Sequence, residues 1–175
     1  MKKVVLFFTI ALMIMTISFS GCSNVKVDEQ QMISLADSTN EAVLLNKIVL
    51  NQNRWSDCAD EVATLYQEKG IRTMTPAAIE KTKKCKSSLQ KTLVKKDNSN
   101  YVVVYTQTMP EGCGSSRTVS NLLNVSIDIT TDKTISTWDS RIKLTQAEID
   151  IIENSLKPAD CKAFADFIGS HGSLN

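Results

Sequence analysis

The chain has 175 residues, with 20 Lys plus Arg against 19 Asp plus Glu, a net charge of +1. Near-neutral charge excludes a bulk polyanion as partner, and nucleic acid with it, since no basic, aromatic-interleaved patch runs through the sequence. The length is that of one ordinary domain with a core of its own.

Lys2 and Lys3 precede an unbroken, mainly apolar run from Val4 to Ile17, followed by Ser18-Phe19-Ser20-Gly21-Cys22. A basic start, about 14 mostly apolar residues and a small-residue cleavage site form an export signal over residues 1–21. The run is short of the roughly 20 apolar residues that span a bilayer. Ser20-Gly21-Cys22 resembles the lipobox of bacterial lipoproteins, with Phe19 where that family usually has Leu. The resemblance covers residues 1–22 only. It implies that Cys22 carries diacylglycerol after cleavage, with further acylation of its new amine, and so a membrane link through lipid. Ser23, rather than Asp, implies sorting to the outer membrane, facing the periplasm. Losing Lys2 and Lys3 leaves 18 basic side chains against 19 acidic, a net charge of −1.

Besides Cys22 the chain has Cys58, Cys85, Cys113 and Cys161. An even number of cysteines in an exported chain implies disulfides, for which three pairings exist. No Cys-x-x-Cys is present and His171 is the single histidine. No zinc site and no cofactor are therefore expected.

Residues 22–30 read as a polar, lipidated tether and residues 31–175 as a single domain. Met32, Leu35, Ala36, Val43, Leu44 and Ile48 recur near the helical period, predicting a helix from Glu29 to Asn51 that breaks at Asn51-Gln52-Asn53. Trp55, Cys58, Ala59, Val62, Ala63 and Tyr66 form the stripe of a second helix, capped by Ser56 or Asp57 and stopped by Gly70. Thr75 and Pro76 are the N-cap and first residue of a third helix, with Ala78, Thr82, Cys85, Leu89 and Leu93 as its stripe. The second and third helices would form an antiparallel hairpin. Cys58 and Cys85 would then lie at similar heights, roughly 15–18 Å from the bend. That geometry predicts a Cys58–Cys85 staple and leaves Cys113–Cys161.

Tyr101–Thr106 is β-branched and aromatic, and Leu123, Val125, Ile127 and Ile129 alternate with polar residues. Thr131-Asp132-Lys133 turns the chain, and Ile135–Leu144 returns it as the third strand of an antiparallel meander. Thr145 and Glu148 form a capping box for a helix to about Leu156. Pro158 opens a last short helix bearing Cys161, Phe164, Ala165 and Ile168, ended by Gly169. The expected fold is α+β: N-terminal helices with a stapled hairpin, a three-stranded meander, then two short helices.

Candidate chemistry is sparse. His171 would have to serve any base-dependent mechanism, yet it lies in a Gly/Ser tail. Cys113, in Gly112-Cys113-Gly114-Ser115-Ser116, could act as a nucleophile only as a thiolate with a base beside it. Asp57 with Asp60, and Asp150 with Glu153, sit at ordinary helix-surface spacings. Lys81, Lys83, Lys84, Lys86, Lys91, Lys95 and Lys96 crowd one segment and make a possible basic surface. The sequence points to a non-catalytic, lipid-anchored protein-binding module of the cell envelope. Such a module would be an immunity or inhibitor protein, or an accessory factor of a secretion, pilus or conjugation machine. Its partner surface is expected on the meander Tyr101–Leu144. One alternative is a hydrolase or transferase acting on peptidoglycan or lipid. Another is binding to anionic membrane through Lys81–Lys96.

Overall fold

The computed structural model describes residues 27–113 and 119–171. The expected signal, Cys22, most of the expected tether, Gly114, Ser115, Ser116 and the last four residues lie outside the described residues.

Among the described residues six helices and four strands follow in the order α1 (Glu29–Asp37), α2 (Asn40–Asp57), α3 (Ala59–Glu68), α4 (Pro76–Lys84), β1 (Ser88–Lys95), β2 (Asn100–Thr108), β3 (Val119–Asp128), β4 (Lys133–Trp138), α5 (Gln146–Ser155) and α6 (Cys161–His171). The strands form one antiparallel sheet in the order β1-β2-β3-β4. The architecture is mixed helix and sheet, with four strands where the sequence predicts three.

The long first helix is in fact two. Ser38 and Thr39 end α1 by turning their hydroxyls onto the Leu35 and Ala36 carbonyls, at 2.7 and 2.8 Å. Thr39 then caps α2 by accepting from the Ala42 N–H. The expected break at Asn51-Gln52-Asn53 lies inside α2, because these amides have tertiary partners. Asn51 donates to the Ser155 hydroxyl at 2.5 Å, Gln52 accepts from Gln107 at 2.5 Å, and Asn53 clamps both backbone groups of Ser87. Polar residues that find partners in the interior look like a loop in sequence but tie helix to sheet.

The second predicted helix starts later than expected. Trp55, Ser56 and Asp57 complete α2, and the chain bends at Cys58, which caps α3 without a side-chain hydrogen bond. Ser56 donates to the Cys85 carbonyl instead. Gly70 ends α3 as expected. Its φ of +65° is the left-handed region, and the Gly70 and Ile71 N–H groups return to the Gln67 and Tyr66 carbonyls in a Schellman turn.

Thr75 caps α4 and Pro76 opens it, but α4 ends at Lys84. Leu89 and Leu93 belong to β1. Their spacing of four fits both the helical period and the strand period of two, so it does not discriminate. In β1, Leu89, Lys91 and Leu93 turn inward while Ser88, Gln90 and Thr92 are exposed. β3 and β4 join through Asp132, whose φ is +51°. β4 ends at Trp138 rather than near Leu144. The Thr145–Glu148 capping box of α5 is present in both directions. α6 runs past Gly169 to His171, and Gly169 serves packing: a Cβ there would come within 2.7 Å of the Leu65 side chain on α3.

Two cores result. In one, Tyr105 and Val103 of β2 and Leu123, Val125 and Ile127 of β3 pack on Met32, Ala36, Ala42, Leu45 and Val49 of α1 and α2. In the other, Cys58 at the start of α3 and Val62 and Leu65 of α3 meet Phe164, Ala165 and Ile168 of α6. The buried Tyr105 hydroxyl donates to Asp37 at 2.8 Å, and Lys91 donates to the other Asp37 oxygen at 2.6 Å. Burial, then the Asp37 hydrogen bond and charge, hold the Tyr105 phenol far above its ordinary pKa. The native state therefore keeps this proton more tightly than the unfolded chain. The associated stability is complete below about pH 10 and is lost as pH rises further. Urea unfolding between pH 8 and 11 is expected to show wild type losing stability more steeply than Tyr105→Phe, by at most about 1.4 kcal/mol per pH unit. Equal slopes would show that Tyr105 makes no such contribution.

Candidate functional site

The four cysteines of the domain are bonded to one another, but not in the expected pairs. Cys58 joins Cys161, with Cα atoms 5.0 Å apart, and Cys85 joins Cys113, at 5.3 Å. The stapled hairpin is therefore incorrect. Cys58, the cap residue that opens α3, packs against α6, which carries Cys161. Cys85 lies beyond the end of α4, in line with β1. Because Ser88 pairs with Thr108, the residues before Ser88 lie beside the loop that follows β2 and holds Cys113. Thiol titration of denatured, unreduced Cys22→Ala protein is expected to find no free thiol, and one or more would contradict these pairings.

The bond to Cys85 removes the thiol a Cys113 nucleophile would need. His171 lies in the last turn of α6, exposed, stacked on Phe167 with centroids 4.1 Å apart. The carboxylates form no facing pair: Asp57 meets Lys86, Asp60 meets Lys83, Glu153 meets Lys47, and Asp150 accepts from Gln146. Among the described residues no three His, Cys, Asp or Glu side chains are placed to hold a metal. No described helix is long and apolar enough to cross a membrane.

The lysine segment is not one basic helix. Lys81, Lys83 and Lys84 are on α4, Lys86 is in the connector, Lys91 and Lys95 are on β1, and Lys96 follows it. Lys83 bridges Asp60 and Glu80, Lys86 meets Asp57 and Lys91 meets Asp37. Lys81, Lys84, Lys95 and Lys96 stay exposed, without an ion pair among the described residues.

Two surfaces stand out. The first is the outward face of the sheet, where no described residue is buried. Cross-strand neighbours there include Val94 and Val102, Val104 and Asn124, and Ser126 and Ile135. Ile135 is 54% exposed. The inner face is covered by helices, and among the described residues no helix packs on the outer face, where half-buried valines and the exposed Ile135 leave apolar surface available to a partner.

No family model, curated protein or solved structure matches this chain.

The second surface is a cleft of about 720 Å³ between α2, α3, α4, α5 and the loops after α3 and β2. Trp55, Tyr66, Met74, Met109, Leu144 and Ile152 supply its apolar lining, and the Cys85–Cys113 disulfide forms part of its wall. The Trp55 ring lies 6.4 Å from Tyr66 and edge-on to Phe164 at 5.8 Å, so the second core fixes its position. Asn51, Gln52 and Ser87 also line the cleft and are engaged with one another's neighbours, Ser155 and Gln107. Burial raises the Tyr66 phenol pKa, and the nearby Arg72 partly offsets it. Sequence reasoning missed this cleft. Its lining comes from segments far apart in the chain, and the Trp55–Tyr66 stripe carries no sign that part of it faces a void rather than a neighbour.

Proposed function

We propose that this chain is an exported, lipid-anchored, non-catalytic module that binds a protein partner in the cell envelope through the open face of its sheet. The lipobox-like segment supports the anchor at Cys22 and an outer-membrane position facing the periplasm. The paired cysteines suit an oxidising compartment. The observation that carries the binding reading is the uncovered sheet face. Across the strands it interleaves Val94, Val102, Val104 and Ile135 with Thr92, Asn124, Ser126 and Thr137, so a partner would meet apolar and hydrogen-bonding side chains side by side. A secreted effector neutralised by this protein, or a component of a secretion, pilus or conjugation machine, is the class of partner it suits.

The hydrolase or transferase alternative finds little support in the site, given the bonded Cys113 and the separated carboxylates. The membrane-surface alternative rests on the four exposed lysines without ion pairs.

The test compares affinity capture from detergent-solubilised envelopes by wild type and by Val102→Glu/Ile135→Lys. Both substitutions are on the solvent side of the sheet, and far-UV circular dichroism checks that the fold is kept. A protein retained by wild type and lost by the folded double variant is the expected result. No specific protein on wild type, or equal retention by the variant, would contradict the reading.

A further inference from the structure

The cleft has a character of its own, separate from the sheet face. Its polar groups are mostly satisfied internally. Asn51 donates to Ser155, and Gln107 donates to both Gln52 and Ser87, at 2.5 and 2.7 Å. Thr82 donates to the Ala78 carbonyl at 2.9 Å. Glu148 is the one carboxylate of the lining, and its Oε2 accepts from the Thr145 N–H and hydroxyl at 2.7 and 2.8 Å. That carboxylate is held at the positive N-terminal end of α5.

Arg72 is different. It lines the cleft, is exposed, and makes no ion pair among the described residues. The cleft thus presents a mainly apolar interior, one carboxylate already held by Thr145, and one cation that makes no ion pair among the described residues.

These features discriminate between occupants. A peptide brings an N–H and a C=O with every residue, and each needs a partner once removed from water. The lining has few free polar groups to offer them. An acyl chain needs none. Met74 and Met109 are unbranched and adaptable, suited to a flexible chain. The volume of about 720 Å³ is that of a site for one small ligand. We propose that the cleft binds a single-chain anionic amphiphile, its chain among Trp55, Met74, Met109 and Leu144 and its carboxylate or phosphate against Arg72.

The probe is a diazirine-bearing palmitic acid, photolysed with the mature lipoprotein in a neutral detergent and mapped by peptide mass spectrometry. Labelling is expected on the segments holding Met74, Met109 and Leu144, reduced about fivefold or more by Arg72→Glu. Met74→Trp, a half-buried loop position outside the helices, should block labelling by filling the cleft while leaving the circular dichroism spectrum unchanged. Oleate and lysophosphatidylglycerol should compete, and the stronger competitor identifies a carboxylate or a phosphate head group. Labelling scattered over the surface, labelling indifferent to Arg72→Glu, or equal competition by neutral monoolein would overturn the proposal. So would displacement of the probe by an apolar peptide at lower concentration than by either anion. Because none of these variants touches the sheet face, failure here leaves the protein-partner reading separately testable.

Discussion

Replacing Cys58 and Cys161 together by alanine is expected to lower the unfolding free energy by about 4–5 kcal/mol. The two residues are separated by 103 positions, and chain-entropy reasoning gives about 4.7 kcal/mol for closing a loop of roughly 100 residues. The Cys85–Cys113 bond spans 28 positions, and the same reasoning gives about 3.5 kcal/mol. A domain of this size has about 5–15 kcal/mol in all, so the first double variant should be close to unfolded at 37 °C. Urea unfolding of the two double variants checks the order. Greater destabilisation from removing Cys85–Cys113 would show that α6 is held to α3 chiefly by something other than this bond.

Phe164→Ala is expected to cost about 3–5 kcal/mol, the range for truncating a fully buried aromatic. Phe164 is 0% exposed. It stands edge-on to Trp55 and lies under the Arg54 guanidinium at 5.3 Å. Arg54 in turn donates to the Leu156 carbonyl at 3.2 Å and to that of Pro158, so the same cluster fixes the α5–α6 connection. Phe164 and the Cys58–Cys161 bond both fasten α6, and neighbouring effects of this kind are not additive. Combining them should destabilise by less than the sum of the two separate losses, and a loss equal to the sum would show that they act independently. A loss under 1 kcal/mol for Phe164→Ala would contradict this packing.

Local chemistry was the part of the fold that the sequence made legible. The Thr75-Pro76 start, the Thr145–Glu148 box and the Gly70 stop each depend on residues within one turn, and each is present. The alternation of Leu123, Val125 and Ile127 placed β3 correctly because a period of two over that length has one reading. Leu89 and Leu93 misled because a single spacing of four satisfies both periods, and what decides between them is pairing with β2, a tertiary fact. Asn51, Gln52 and Asn53 misled because a buried amide network looks like a loop in one dimension. The disulfide pairing failed for a related reason. Helical spacing puts Cys85 on the stripe of α4, but that helix stops at Lys84, one residue short of it. The cleft was invisible because no segment contains enough of its wall. Its one local trace is Arg72, a cation in a short loop with no acidic residue beside it.

The lipid anchor remains the claim on which the envelope reading depends. Its most direct test is metabolic labelling with a clickable palmitate analogue, for wild type and Cys22→Ser, followed by fractionation and intact-mass measurement. Wild type should carry the label, lack residues 1–21 and stay with membranes through a high-salt wash, while Cys22→Ser should carry no label and show a changed mass. An unlabelled wild type, or a Cys22→Ser protein with unaltered label and membrane association, would contradict the account.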